Sequence, residues 1–305
     1  MRNIFLTGGT GFFGKSILSM LRRGLLPGDG CRFTVLSRDP AVFMRRCPEF
    51  AELPNVRFVA GDVRDFAFPD GEFDTVIHGA APAVTTLAPG EMRSIIELGT
   101  QRVLEFSGRC GARTLMMISS GGVYGVQAPE LPALAEDHQC RPVTEYGIAK
   151  LDAEKLCLDS GIARVVVPRC FAFVGPYLNR DIHFAIGNFI RDALEKRPIV
   201  VNGDGTPLRT YLYADDLVEW LFALLGCGRD RLICNVGSGE AVSIAELAKI
   251  VRDELNPGGE VRIVGRPDPA KAIGRYVPSI KLAESLGLRV KVGLREAIRR
   301  SAGVI

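Results

Sequence analysis

Tyr146 and Lys150 stand four residues apart in a stretch whose apolar spacing predicts a helix from Glu145 to Asp159, so the two side chains share one face about one turn apart. A phenol with an ordinary pKa of roughly 10 is a poor acid or base at neutrality until a neighbouring ammonium supports its phenolate, and Lys150 is placed to give that support. Upstream, Ser119-Ser120-Gly121-Gly122-Val123-Tyr124-Gly125 closes a β-like run. Its hydroxyls fall at the C-terminal edge of a sheet, where open α/β sheets bind ligands. A serine there can hydrogen-bond a substrate carbonyl or alcohol. Y-x-x-x-K alone recurs on surface helices as packing. Together with the serine pair it points to proton transfer at a carbonyl or carbinol carbon.

The N-terminus supplies what such chemistry needs as a redox partner. A strand ending at Thr7 runs into Gly8-Gly9-Thr10-Gly11-Phe12-Phe13-Gly14 and then a helix. Glycines at 8, 11 and 14 lack the Cβ atoms that would block a tight turn, close approach of a pyrophosphate and helix-on-strand packing, while the helix start offers amide donors and partial positive charge. Gly8, Gly11 and Gly14, with Thr10, Phe12 and Phe13 of the same loop, are therefore candidate dinucleotide ligands. A bare glycine triplet would be a tight turn; the strand before it and the helix after it favour the dinucleotide. At the end of the second predicted strand, where an acidic residue would hold the ribose of NAD, the chain has Ser37-Arg38-Asp39. Ser37 and Arg38 suit a 2′-phosphate, so NADP(H) is favoured and NAD(H), held by Asp39, is the alternative. Asp62 in Gly61-Asp62-Val63 is a candidate for the adenine edge, against the plainer reading of an aspartate as a turn residue.

The elements that must position these groups are short apolar or β-branched runs: Asn3 to Thr7, Phe33 to Ser37, Val56 to Ala60, Thr75 to His78, Thr114 to Ser119, Arg164 to Pro168 and Leu232 to Val236. Between several of them lie helical patterns, Gly14 to Arg23, Glu91 to Cys110 and Glu145 to Asp159. This alternation predicts an α/β fold, a doubly wound parallel sheet of Rossmann type, with a smaller C-terminal substrate lobe. Residues 1–168 are read as the dinucleotide-binding domain, with a return to it around 206–237, and 169–305 mainly as the substrate lobe. Within the latter come a loop-rich stretch from Phe171 to Asp181, a helix near Ile186 to Lys196, a turn at Asn202 to Gly205, and a helix from Ser243, its predicted N-cap, to Leu255.

The chain resembles the extended short-chain dehydrogenase/reductases of the nucleotide-sugar epimerase/dehydratase family over nearly its whole length. The resemblance rests on TGGTGFFG (Thr7 to Gly14), GDVRD (Gly61 to Asp65), IHGAAPA (Ile77 to Ala83), SSGGVYG (Ser119 to Gly125), YGIAK (Tyr146 to Lys150) and GDGTPLRTYLYADDL (Gly203 to Leu217), in that order. It implies that Ser120, four residues before Tyr124, is the catalytic hydroxyl, with Ser119 its neighbour. Tyr146 is then the acid-base tyrosine, and Lys150 also holds the nicotinamide ribose. Val63, Ala80 and Ala81, in matching segments, join the cofactor-binding set. Arg209 is implied to meet the substrate diphosphate, a task suited to a planar guanidinium; its plainer reading is a surface ion pair. A homodimer through the helices at 91–110 and 145–159 is implied too.

The family's 4,6-dehydratases carry Asp-Glu directly after the catalytic hydroxyl, whereas this chain has Gly121-Gly122, which can neither give nor take a proton. Dehydration is disfavoured. The expected activity is reduction of an NDP-4-keto-6-deoxyhexose at C4, with a nucleotide-sugar 4-epimerase as the alternative and a non-catalytic NADP(H)-binding sensor as a second. The sensor is the weaker of these because both Tyr146 and Lys150 are kept. Where many members read R-x-F-N-x-Y-G-P, this chain reads Arg169-Cys170-Phe171-Ala172-Phe173-Val174-Gly175-Pro176, so the asparagine's polar contact to the diphosphate or the sugar is either lost or supplied elsewhere, with Asn179 and Asn188 the candidates.

Composition sets the remaining limits. A net charge of +3 over 305 residues argues against nucleic acid or a membrane surface as partner. The eight cysteines form no C-x-x-C pair, and most of them read as buried thiols of a reducing compartment. His78, His138 and His183 show no metal-ligand spacing, so no metal is expected and a structural role is assigned to each. His183, in the substrate lobe, could also touch a ligand. With no apolar run long enough to span a bilayer and no leader-like start, a cytoplasmic enzyme is expected.

Overall fold

The structure is a computed structural model that describes residues 3–27, 30–82, 87, 88, 90–182, 184–268 and 272–304. His183 and Ala83 lie outside the described residues. The chain divides into two compact units.

The first unit comprises residues up to Gly125, Cys140–Cys170 and Val218–Cys234. Its elements begin with β1 (Asn3–Thr7), α1 (Phe12–Arg22), β2 (Arg32–Ser37), α2 (Pro40–Arg46), β3 (Val56–Ala60), β4 (Thr75–His78) and α3 (Glu91–Arg109). There follow β5 (Thr114–Met117), β6 (Ser119–Ser120), a 3-10 turn at Gly121–Tyr124, α4 (Glu145–Leu158) and β7 (Arg164–Cys170). The sheet runs β3-β2-β1-β4-β5-β7 and on to β12 (Leu232–Val236), with β6 paired to β7. From β3 to β7 every neighbouring pair is parallel. The order reverses between β1 and β4, the switch point at which such sheets take ligands. The run predicted as one strand from Thr114 to Ser119 is broken at Ile118, and this break carries the two serines into the separate pairing Ser119↔Arg169 and Ser120↔Cys170.

An aromatic cluster of Phe5, Phe66, Phe73 and Phe106 fills one side of this sheet, joined by Val76, Leu115, Val165 and the inner face of α4 through Ala149, Ala153 and Cys157. Burying such large rings contributes roughly 2–3 kcal/mol each, so α3 and α4 are held firmly to the strands that carry the site. Arg102 of α3 closes the cluster's edge, donating Nη2 to the Phe66 carbonyl at 2.8 Å, its guanidinium 3.9 Å from the Phe68 ring centre.

The second unit, Val126–Gln139, Phe171–Leu217 and Asn235–Ile305, contains small sheets and helices. Its elements are β8 (Phe173–Val174), α5 (Ala185–Leu194), β9 (Ile199–Val201), β10 (Leu208–Arg209), β11 (Leu212–Tyr213), β13 (Val242–Ser243), α7 (Ile244–Leu255), β14 (Val261–Ile263), β15 (Arg275–Tyr276), α8 (Lys281–Ser285) and α9 (Leu294–Ala302). Helix α6 (Ala214–Gly226) begins in it and continues in the first unit. Ser243 caps α7 as its sequence predicts, accepting from the Glu246 amide at 3.1 Å. Asp216 accepts from the amides of Lys291 and Val292, both at 3.0 Å; part of the GDGTPLRTYLYADDL resemblance is thus structural. The second unit also takes in Val126–Gln139, a stretch the sequence placed in the dinucleotide-binding domain.

Candidate active site

The glycine loop fits a dinucleotide on its own geometry. Gly8 has φ +75°, and a Cβ there would lie 2.5 Å from the Gly79 carbonyl carbon; a Cβ at Gly14 would lie 2.2 Å from Gly9 Cα. These glycines let β1, α1 and the loop after β4 touch backbone to backbone. Gly11 differs. A Cβ there would meet only the Gly8 carbonyl oxygen, at 3.4 Å, so its open side lies above the start of α1, whose first turn has no acidic residue and no side-chain cap. A helix N-terminus without a side-chain cap, beside an open glycine, is what a pyrophosphate requires.

The loop after β4 is held by a buried chain of hydroxyls. Thr7 Oγ1 accepts from the Ala80 amide at 3.2 Å and lies 2.8 Å from His78 Nδ1; His78 Nε2 lies 3.1 Å from Thr100 Oγ1, which donates to the Ile96 carbonyl at 2.6 Å. Thr100 spends its proton on Ile96, so the ring must donate from Nε2 and accept at Nδ1. Burial, with help from the Lys150 charge, drives the His78 pKa down to about 3, which keeps this ring neutral. Through Thr7, His78 thus fastens Ala80 beside Gly8.

At the end of β2, Asp39 is the N-cap of α2, accepting from the Val42 amide at 2.8 Å. That cap uses one oxygen of its carboxylate. Ser37 is only 6% exposed, while Arg38 is exposed, so of the two it is Arg38 that presents itself to solvent. Asp62 is paired with Arg64, Nε–Oδ1 2.8 Å and Nη2–Oδ2 3.0 Å; hydrogen bonding from Arg64 holds its carboxyl below the ordinary range, and Arg38 adds to the effect. Val63 turns its side chain into the core against Gly99, which leaves its backbone for any contact with a base.

Ser120, Tyr146 and Lys150 are brought together. Thr144 caps α4 by accepting from the Gly147 amide at 3.1 Å. A Cβ at Gly147 would sit 2.6 Å from the Gly122 carbonyl oxygen, so glycine there lets the first turn of α4 press against the turn that follows Ser120. Ser120 accepts from the Gly122 amide at 3.1 Å and hydrogen-bonds Tyr146. Around that phenol the packed protein pushes the pKa up to about 12, against the smaller opposing effect of Ser120. Lys150 is buried and donates Nζ to the Ile118 carbonyl at 2.8 Å, with its ammonium 5.9 Å from the Tyr146 ring centre. Burial lowers its pKa to about 8, with Cys170, Cys157 and Glu154 pulling the other way. An ammonium that is itself desolvated and bonded to a carbonyl gives less support to a phenolate than one in the open, so burial dominates at Tyr146.

Behind these groups is a set of residues that the reading of the sequence missed. Glu154 of α4 accepts from Ser119 Oγ and from Arg169, Nη2–Oε2 2.8 Å and Nε–Oε1 3.1 Å. The Arg169 guanidinium lies 4.8 Å from the Tyr124 ring centre. Glu154 was findable: with Tyr146 and Lys150 it forms an i, i+4, i+8 row, and a carboxylate on the face that carries Ala149, Ala153 and Cys157 has to be paired.

The second unit holds the candidates for the substrate's diphosphate and sugar. Arg209 on β10 pairs in register with Tyr276 on β15 and donates Nη1 to the Leu208 carbonyl at 2.8 Å. Asn179 is exposed and accepts from the Asp181 amide at 2.8 Å, a turn role. Asn188 on α5 has a buried Oδ1 that finds no partner among the described residues. Ala172, at the family's asparagine position, packs on the second unit's core while its carbonyl accepts from the Leu212 amide at 3.0 Å.

All eight cysteines are free. Among the described residues no metal-binding cluster occurs, and no helix is long and apolar enough to cross a membrane.

Comparison with known proteins places this geometry in a family. Residues 4–237 match the model of the NAD dependent epimerase/dehydratase family. UDP-glucuronic acid decarboxylase 2 of Arabidopsis thaliana is 29% identical over 97% of this chain and 66% of its own length, so the chain spans just under two thirds of that relative. The dTDP-glucose 4,6-dehydratase of Streptomyces niveus is 29% identical over 97% of this chain and 90% of its own. Among solved structures, MoeE5 in complex with UDP-glucose and NAD is 28% identical, with a TM-score of 0.80 over 99% of this chain and 97% of that one.

Proposed function

The chain belongs to the NAD-dependent epimerase/dehydratase family, and within it we propose an oxidoreductase that reduces an NDP-4-keto-6-deoxyhexose at C4 with NADPH. The observation that carries this reading is the buried Tyr146 phenol bonded to Ser120 beside Gly121 and Gly122. The site has a proton to give to a nascent alkoxide and no carboxylate next to the serine to drive an elimination. A chain that cannot itself eliminate water needs its keto sugar ready-made.

When bound, the dinucleotide supplies the hydride. Gly8, Gly11 and Gly14, with the backbone of Thr10, Phe12 and Phe13, would hold its pyrophosphate, Arg38 its 2′-phosphate, and Asp62 with the Val63 backbone its adenine edge. Ala80 and Ala81 would wall the cleft above Gly8, and Lys150 would hold the nicotinamide ribose. Ser120 donates a hydrogen bond to the substrate carbonyl. Tyr146 passes its proton to the same oxygen as charge develops there. Lys150, mostly an ammonium at neutral pH with a pKa of about 8, stabilises the phenolate left behind until solvent reprotonates it. In the second unit, Arg209 is assigned the substrate diphosphate and Asn188 a polar contact to the substrate. A homodimer through α3 and α4 is part of the proposal, because Leu98, Ile148 and Leu156 leave exposed apolar surface on these helices.

A 4-epimerase is the second reading, favoured by a relative whose structure holds NAD with UDP-glucose, a sugar that must be oxidised before anything can be reduced. Purified protein with NADPH or NADH and a panel of dTDP-, CDP-, GDP- and UDP-4-keto-6-deoxyhexoses separates them. Cofactor loss with a gain of two hydrogens in the sugar, abolished in Tyr146→Phe, supports the reductase. Isomerisation of ordinary UDP- or GDP-sugars at constant mass with no cofactor consumed supports the epimerase.

A further inference from the structure

Among the described residues, the first unit contains a buried ion pair that the chemistry above does not use. Glu154 is 1% exposed and Arg169 is 5% exposed, and taking both charges out of water is costly unless nearly every lone pair and N–H is matched. Here the matching partners are residues flanking the site. Glu154 lies one helical turn beyond Lys150 and two beyond Tyr146. Its carboxylate accepts from Ser119, the neighbour of Ser120, and from two nitrogens of Arg169. Arg169 is paired in register with Ser119 across β6 and β7 and lies against Tyr124 at the far end of the turn that starts after Ser120. Glu154 therefore ties the helix carrying Tyr146 and Lys150 to both strands that fix the serine.

From this geometry we propose that Glu154 and Arg169 are positioning residues: they set the helix α4 face against β6 so that the Ser120 hydroxyl and the Tyr146 phenol converge on one substrate oxygen. The proposal rests on the assignment of Ser120 and Tyr146 as the reacting pair. Without the pair α4 is still held by its apolar face, where Ala149, Ala153 and Cys157 are buried, and by the bond from Lys150 to the Ile118 carbonyl, but its tie through Glu154 to Ser119 and to β7 is gone. A site loosened by about 1 Å loses on the order of 100-fold in turnover, with binding little changed, because neither residue is assigned to cofactor or substrate.

The test uses Glu154→Gln and the double variant Glu154→Leu/Arg169→Met. The single change leaves a buried guanidinium facing a neutral amide and can destabilise the fold; the double change removes both charges at similar volume, a replacement that buried ion pairs often tolerate or gain from. Melting temperature, kcat, KM and crystal structures of wild type and double variant are compared. Expected for the double variant is a melting temperature at or above wild type, kcat down about 100-fold, KM within about threefold and the Ser120–Tyr146 hydrogen bond lost. A stable double variant that keeps both that hydrogen bond and a wild-type kcat shows that the pair serves only the fold, and overturns the proposal. If wild-type protein turns over none of the sugars, the reductase reading fails, and the crystallographic comparison still decides the positioning role by whether the hydrogen bond persists.

Discussion

Gly14→Ala and Gly11→Ala should separate the glycine that packs from the glycine that faces a ligand. A methyl at position 14 would start 2.2 Å from Gly9 Cα and 2.4 Å from the Gly9 carbonyl carbon and oxygen, all backbone atoms that cannot swing aside. To restore ordinary contact, α1 and the end of β1 must part by about 1 Å, and overpacking of this kind costs roughly 1–3 kcal/mol. For a chain of this size that is a drop in melting temperature of about 2–5 °C. The shift also withdraws the α1 amides, so dinucleotide affinity should fall at least about tenfold. At position 11 the methyl would meet one atom at 3.4 Å, and the backbone there has φ −87°, a value any residue adopts. Gly11→Ala should therefore melt within about 1 °C of wild type, yet bind NADPH at least about tenfold more weakly, because the methyl occupies the approach of the pyrophosphate. Differential scanning fluorimetry and quenching of intrinsic fluorescence by NADPH read both. Normal NADPH affinity in a stable Gly11→Ala protein would refute the placing of the pyrophosphate over this loop.

Three further outcomes follow from the same geometry. Arg38→Ala should weaken NADPH by about 10-fold to 100-fold while leaving NADH within about twofold, since one charge-assisted phosphate contact is lost; equal losses for both cofactors in titration calorimetry would count against the 2′-phosphate role. Gly122→Ala places a methyl 3.3 Å from Ser120 Oγ and 3.9 Å from Tyr146 Cδ1, so kcat should fall about tenfold with cofactor affinity unchanged; unaltered steady-state kinetics would show that the space above the serine is unused. Burial depresses the Lys150 pKa from 10.5 to about 8, so between these values the unfolded chain holds the proton more than the folded one and stability rises with pH across that window. The penalty, on the order of 3 kcal/mol, is full below pH 8 and gone above 10.5. Lys150→Met removes it, so its stability advantage over wild type in urea melts should shrink between pH 7.5 and 10; a constant difference would mean that Lys150 is not desolvated.

Much of the molecule was legible in the order of its residues, for identifiable reasons. Parallel strands buried on both faces read as continuous apolar runs, and four of the seven predicted strands, Asn3–Thr7, Val56–Ala60, Thr75–His78 and Leu232–Val236, have the bounds read from the sequence. The convergence of Ser120, Tyr146 and Lys150 was legible because a strand end and one helical face each carry a fixed geometry. What escaped depends on contacts distant along the chain. The break at Ile118 arises where Ser119 and Ser120 pair with Arg169 and Cys170, about fifty residues away. That Gly147 allows α4 to meet the Gly122 carbonyl is invisible in a helix pattern, which treats a glycine as a weak point. The use of Asp39 as the α2 cap could have been read from Asp39-Pro40, an N-cap followed by a proline suited to the first helical position. Arg169 reads as an unremarkable end of a strand until Glu154 is seen opposite it.

The central claim is that Tyr146 protonates and Ser120 holds an oxygen on a carbon that receives hydride, without elimination. Its most direct test is NADPH deuterated at the transferred nicotinamide position, incubated with the accepted keto sugar and followed by mass spectrometry of the nucleotide sugar. The account predicts a product that gains one deuterium and one hydrogen, the deuterium on C4, at a rate lowered at least about 100-fold in Tyr146→Phe. A product without deuterium, or one formed as fast by Tyr146→Phe, would contradict it.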